Sequence, residues 1–349
     1  MEFSSHSSPH LPTTNQLSTI MRDVILALIP GTLAMLWFFG WGVLFNLLLA
    51  TITALLAEAA ILSLRGKAVV PTLYDGSALL TGLLLGLALP TLAPWWIPVI
   101  GSLFAIIIAK QLYGGIGFNP FNPAMVGFVV LIISFPLQMT QWSAPRGLGI
   151  GLLSLTDTIA IVFASIIPDG QSMDSITMAT PLDTVKTRFG VFDTWSEITS
   201  EPLFGAVAGK GWEWINLWFL AGGLWMLKRG VIQWHIPVAM LGALFILSNP
   251  FYAADSDSFA SPVFHLFSGA TMLGAFFIAT DPVSACTTTK GRLYYGMWIG
   301  IFVYVIRTWG GYPEGVAFAV LLLNMAAPTI DYYSQPRVFG HQKKDDEDE

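Results

Sequence analysis

Val43-Leu-Phe-Asn-Leu-Leu-Leu-Ala-Thr-Ile-Thr-Ala-Leu-Leu-Ala-Glu-Ala-Ala-Ile-Leu-Ser-Leu64 carries one formal charge, at Glu58, in an otherwise apolar run. A membrane-crossing helix needs about 20 mostly apolar residues, and hydrocarbon forces each backbone donor and acceptor to find its partner inside the segment. The stretch therefore predicts a transmembrane α-helix. Nine further segments read the same way: residues 24–40, 78–94, 95–112, 123–139, 213–228, 235–250, 263–280, 294–306 and 313–331. Composition agrees, since 54% of residues are hydrophobic and 11% are charged, against roughly 25% charged in a soluble domain. The fold expected is an all-α integral membrane bundle of about ten transmembrane helices.

Two blocks of five segments, 24–139 and 213–331, flank a polar stretch at 140–212, with a short N-terminal segment at 1–23 and an acidic tail at 332–349. Lys and Arg favour the cytoplasmic side of short loops. With ten spans and both termini inside, eleven of these residues face the cytoplasm: Arg22, Arg65, Lys67, Lys110, Lys228, Arg229, Lys290, Arg292, Arg337, Lys343 and Lys344. Arg146, Lys186, Arg188, Lys210 and Arg307 face out. An eleventh span over residues 147–168 would level the count and place Asp157 in lipid, at roughly 2.5–3.5 kcal/mol. That stretch is therefore read as an interfacial or packed helix, and 140–212 as extracytoplasmic.

Several functions are excluded. The net charge of −6 and the acidic end at residues 345–349 give no signal for nucleic acid,. Residues 1–16 lack the parts of a signal peptide,, so the first apolar segment is expected to remain as an anchor. The one cysteine, Cys286, rules out an internal disulfide and falls short of the four thiolates of an iron–sulfur cluster,. His6, His10, His235, His265 and His341 show no metal spacing, and there is no dinucleotide fingerprint for NADH,.

The polar stretch holds Asp174-Ser-Ile-Thr-Met-Ala-Thr180, followed by Pro181-Leu182. An acid, two variable residues, Ser or Thr, a small residue, Ala and a final Thr resemble the signal at which a flavin transferase links FMN, through its phosphate, to a threonine hydroxyl. Asp174, Thr177 and Ala179 form the motif and Thr180 is the acceptor; Met178 stands where Gly is more usual. The alternative is a polar turn closed by Pro181. Ser268-Gly-Ala-Thr271 spells the core of the signal better, but it lies in an apolar segment with His265, not Asp, six residues before Thr271. Thr180 is preferred. Ser268, Gly269 and Thr271 are left to pack against a second, noncovalent flavin such as riboflavin, or against an opposing helix.

Four motifs in order, Asp75-Gly-Ser-Ala-Leu-Leu-Thr-Gly82, Gly117-Phe-Asn-Pro-Phe-Asn-Pro-Ala124, Thr177-Met-Ala-Thr-Pro-Leu182 and Gly274-Ala-Phe-Phe-Ile-Ala-Thr-Asp-Pro-Val-Ser284, resemble the NqrB/RnfD family over nearly the whole chain. The family supplies membrane subunits to the Rnf (or Rsx) electron-transport complex and to a sodium-pumping NADH:quinone oxidoreductase. The resemblance implies two inverted five-helix repeats and covalent FMN. It implies the A, B, C, E and G subunits as partners, and a flavin transferase during maturation. The complex would couple electron flow between NADH and ferredoxin to Na⁺ or H⁺ movement, with this chain catalytically incomplete alone. A loose match between Asp75-Gly-Ser-Ala and Ser268-Gly-Ala-Thr, each in the third segment of its five, fits such a repeat. The rival reading is a secondary transporter or channel without covalent flavin.

Ion-pathway candidates are Glu58 and Asp281. An intramembrane acid marks a partner, a proton relay or an ion path; Glu58 has Lys110 or Arg65 as alternative ion-pair partners. Lys110 itself is expected to snorkel to the cytoplasmic surface. Asp281, before Pro282, is placed to cap or hold a helix break. Asn119, Asn122, Pro120 and Pro123 mark either a broken element lining a site or a simple interhelical loop.

Overall fold

The computed structural model describes residues 17–149 and 151–335. His6, His10, His341, Arg337, Lys343, Lys344 and most of the two terminal segments lie outside them. The described residues are helical, with no strand beyond two isolated antiparallel bridges, Ser143 with Thr177 and Phe204 with Gly209. Four helices among them are long and apolar enough to cross a membrane: Leu17–Phe39, Trp41–Leu64, His235–Ala254 and Val316–Ser334. Ser77–Ala88, Trp96–Gln111, Pro123–Ser134 and Leu155–Ala164 are shorter and apolar. Trp212–Arg229 and Thr289–Trp309 carry charge at their ends and complete the bundle. The protein is an all-helical membrane protein.

Helix ends differ from the hydropathy segments where backbone chemistry overrides composition. Leu89 is extended, with ψ 147°, as the residue before Pro90 must be, so the helix from Ser77 stops at Ala88 although apolar residues continue,. Pro136 similarly follows the end at Ser134. The segment expected as one span over 263–280 is two pieces. Pro262–Phe267 ends, Ser268 is extended, Gly269 adopts φ 57°, and the helix resumes at Thr271 and runs through Ile278, its last part wound as a π-helix. The helix Trp96–Leu103 also runs on as a π-helix through Gln111, a feature often found near functional positions,.

The core is a continuous apolar cluster drawn from both blocks of helices, from Leu28 and Met35 through Leu85 and Leu131 to Met240, Tyr295 and Val320. Close approach depends on small residues. A Cβ on Gly222 would lie 2.1 Å from the carbonyl oxygen of Ala27, so the helices Leu17–Phe39 and Trp212–Arg229 are in backbone contact there,. Leu33, Leu56, Ile246 and Met325 point outward, as lipid-facing side chains do.

Residues 140–212 fold into short helices with a small core of their own. Leu148, Leu182, Val185, Ile198, Leu203 and Phe204 pack with Ala260 and Phe264 at the start of the broken helix. Residues 147–168, expected as an interfacial or packed helix, contain the short helix Leu155–Ala164, which buries Thr158, Ile161 and Val162 and exposes Leu155, Ile159 and Phe163.

Candidate functional site

Thr180 is the N-cap of the helix Pro181–Gly190. Its backbone is extended (φ −68°, ψ 157°), and its hydroxyl oxygen accepts from the Asp183 amide at 3.3 Å. Pro181 occupies the first helical position, where its missing N–H is no loss. Thr180-Pro-Leu-Asp183 is thus a helix-start signal as well as the end of the flavin motif, and the capping role is legible in the same residues,. Thr180 is half-buried, while the neighbouring Ala179 and the upstream Asp174 are exposed or nearly so. Thr177 is held locally, its hydroxyl donating to the Met173 carbonyl at 2.9 Å.

This segment is fixed on two sides. On one, Met178 N donates to the Trp142 carbonyl at 2.9 Å and Thr177 pairs with Ser143. Ser143 N donates in turn to the Thr91 hydroxyl at 2.9 Å, in the loop that follows the helix Ser77–Ala88. Trp142 stands edge-on to Trp212, with ring centres 5.0 Å apart, and both touch Phe39. On the other side, Leu182 fills the space beside Gly269: a Cβ there would lie 2.6 Å from Leu182 Cδ1 and 1.9 Å from Glu314 Oε2. The positive φ and the crowding both select glycine.

The break at residues 268–270 leaves backbone groups without helical partners, and such groups must be satisfied when buried. Asn216 Nδ2 donates to the carbonyls of Phe267 and Gly269, each at 3.0 Å, and its Oδ1 accepts from Met272 N at 3.1 Å. Arg307 donates to the His265 carbonyl at 2.8 Å, to the Thr271 hydroxyl at 2.9 Å and to Glu314 at 2.9 Å. Glu314 accepts from Ala270 N at 2.8 Å. Thr271 is fully buried, and its hydroxyl points at the carbonyls of His265 and Ser268. Ser268 is buried too. Thr180 is thus partly exposed, whereas Thr271 is fully buried.

The helix that begins at Thr180 is tied down by Lys186, whose ammonium donates to the carbonyls of Ile306 at 3.3 Å and Arg307 at 3.0 Å. Those carbonyls lie in the last turn of Thr289–Trp309, where a cation is favourable. Partial burial pushes the Asp183 carboxyl up, against the opposing pull of Lys186, and pushes the Lys186 ammonium down, against Asp183.

At the other end of the bundle the candidate acids separate. Glu58 is fully buried and pairs with Lys110 at 2.6 Å, while Gln111 donates to the same carboxylate at 2.7 Å. Arg65 reaches Gln111, not Glu58. Lys110 does not snorkel: it is 2% exposed and also donates to Ser77 Oγ at 2.6 Å. The carboxylate draws it inward, because an unpaired buried acid is far more costly than a curled lysine. Asp281 accepts from Ser284 Oγ at 2.7 Å. It lines, with Ser77, Lys110, Asn119 and Asn122, a cavity of about 40 Å³ that Glu58 does not reach. Asn122 caps the helix Pro123–Ser134, its oxygen accepting from Met125 N at 3.3 Å.

The sequence matches the NQR2, RnfD, RnfE family over residues 4–340. It is 56% identical to the D subunit of the ion-translocating oxidoreductase complex of Aliivibrio salmonicida (strain LFI1238), over 98% of this chain and 100% of that protein. The proteins of the same description from Escherichia coli O127:H6 and Shigella dysenteriae serotype 1 are each 52% identical, over the same shares of the two chains.

Proposed function

The chain belongs to the NQR2, RnfD, RnfE family, and from that premise we propose that it is the D subunit of an Rnf-type ion-translocating oxidoreductase complex, carrying FMN on Thr180. The complex couples electron transfer between NADH and ferredoxin to Na⁺ or H⁺ movement across the bacterial inner membrane. The A, B, C, E and G subunits are its partners. A flavin transferase forms the phosphoester, and the bias of Lys and Arg among the loops supports residues 140–212 facing the periplasm and both termini the cytoplasm,.

The contrast between the two threonines carries this reading. Thr180 is half-buried beside Ala179, while Thr271 is sealed under Arg307. The residues suit the group. A phosphate on the Thr180 oxygen sits at the N-terminus of a ten-residue helix, whose dipole favours a negative charge by about 0.3–1 kcal/mol. Bound FMN supplies one- and two-electron transfer. The chain supplies a fixed anchor, held by the buried packing of Leu182 and by the bond from Met178 N to the carbonyl of Trp142, which packs on Trp212. A noncovalent riboflavin belongs to the same proposal, but at Ser268 and Thr271 it would require the break to open, since both are fully buried.

An inverted repeat of two five-helix units is part of the proposal, and one correspondence supports it. Lys110 and Arg307, each near the end of the fourth helix of its block, donate to a hydroxyl in that block's third segment, Ser77 where the helix starts and Thr271 where the broken helix resumes. Each of those starts follows a glycine with positive φ, Gly76 at 79° and Gly269 at 57°. Each cation also pairs with a glutamate, Glu58 or Glu314. The decisive experiment is flavin fluorescence on a denaturing gel. A fluorescent band that persists in Thr271→Ala and vanishes in Thr180→Ala supports the attachment; a colourless, non-fluorescent wild-type chain would favour a transporter or channel.

A further inference from the structure

We infer that Lys186 is a positioning residue for electron transfer: its contacts with the Ile306 and Arg307 carbonyls hold the Thr180-bearing helix in register with the break at residues 268–270. The inference rests on the attachment at Thr180 proposed above.

The contacts form a closed circuit. Lys186 lies on the second turn of Pro181–Gly190, and its ammonium donates to Ile306 at 3.3 Å and Arg307 at 3.0 Å. From the same Arg307, the guanidinium runs inward to the carbonyls of His265 and Ser268 and to the Thr271 hydroxyl. The break then meets the carrier helix again, because Leu182 lies against Gly269. One residue, Arg307, thus accepts the carrier helix through its backbone and holds the break through its side chain.

The apolar face of the carrier helix, Leu182 and Val185, packs into a small cluster, but apolar contact is non-directional; Met178 N on the Trp142 carbonyl fixes the chain that leads into the helix, and Arg188 ties its far end to Asp193 and Glu201, so Lys186 is its one hydrogen-bonded link to the helix that holds the break. The directional contacts set its register. Thr180 is on the side of the helix start, so a slide along the axis moves the anchor by the same amount. A misplacement of order 1 Å can cost on the order of 10²-fold in rate. In the amino-acid sequence Lys186 reads as an ordinary loop cation, because its acceptors are backbone atoms 120 and 121 residues away.

The test uses the complete complex in membranes with Lys186→Met and Lys186→Arg. The expected result for Lys186→Met is wild-type flavin fluorescence of the denatured subunit, NADH-driven turnover lowered about tenfold, and an unchanged KM for NADH. Lys186→Arg, which still donates to the two carbonyls, should recover most of the turnover. Wild-type turnover in Lys186→Met overturns the inference. So does an arginine variant no better than the methionine one, or a Lys186→Met complex that fails to assemble, since that assigns Lys186 to folding. Absence of fluorescence from the unsubstituted subunit has a different meaning: it removes the attachment at Thr180, and this role with it.

Discussion

Glu58 and Lys110 stand 2.6 Å apart inside the bundle, with side chains 0% and 2% exposed. Removing one partner of a buried pair leaves an uncompensated charge, at about 3–5 kcal/mol, whereas replacing both by apolar residues of similar volume is often neutral.

Glu58→Leu alone should therefore lower the thermal stability of the detergent-purified subunit sharply, while Glu58→Leu with Lys110→Met should recover most of it. Glu58→Gln tests translocation separately. It keeps the amide in hydrogen-bond reach of Gln111, and we expect assembly and flavin to be retained while ion uptake per electron falls in vesicles of the whole complex. Unchanged uptake and electron transfer would make Glu58 a structural acid held by Lys110.

Thr180 has two roles that substitutions can separate. Thr180→Ala should abolish gel fluorescence and, by removing the cap on Asp183 N, destabilise the carrier helix by about 1 kcal/mol,. Thr180→Ser keeps a capping hydroxyl and should retain stability with partial labelling. Thr180→Asn is the informative control: it caps well but offers no hydroxyl, so it should be stable and dark.

Sidedness follows from the proposed topology. Cys286 is buried, so background reaction with a bulky thiol reagent should be low. Gln171→Cys, at an exposed position in 140–212, should react with a membrane-impermeant maleimide in cells whose outer barrier is permeabilised, and Lys228→Cys, at the end of Trp212–Arg229, should not. The reverse pattern would put the attachment motif on the cytoplasmic face and sink the assigned orientation.

Gly222→Leu tests the contact between Leu17–Phe39 and Trp212–Arg229. With only 2.1 Å between a Cβ at residue 222 and the Ala27 oxygen, even alanine must push the helices apart, and leucine more so,. The expected outcome is loss of the assembled subunit from membranes for leucine and a smaller loss for alanine. Gly242, which has open space around it, should tolerate alanine.

Long apolar runs make the helices legible in the sequence, because a single variable, hydrophobicity over about 20 residues, governs them. The break at residues 268–270 is not legible as a break. Its residues are small and uncharged, and the groups that stabilise it, Asn216, Arg307 and Glu314, come from distant parts of the chain. The Glu58–Lys110 pair is among the alternatives that the sequence offers, but the choice between it, Arg65 and snorkelling depends on how two helices pack, which composition does not record. The motif around Thr180 is readable at once, and so is its cap, whose signal is local. Lys186 is opaque because backbone acceptors leave no trace in composition.

The pairing of Thr177 with Ser143 and the seat of Leu182 on Gly269 make residues 177–182 a stitch across a seam. One end of the stitch is sewn, through Ser143 and Thr91, to the helices that precede residue 139; the other is sewn to helices that follow residue 212. Any rocking of one block against the other must load this short length of chain, with Thr180 near its middle. The residue proposed to hold the redox group is in that sense a strain gauge for the bundle, and a bundle that changes shape as ions pass would report it there first.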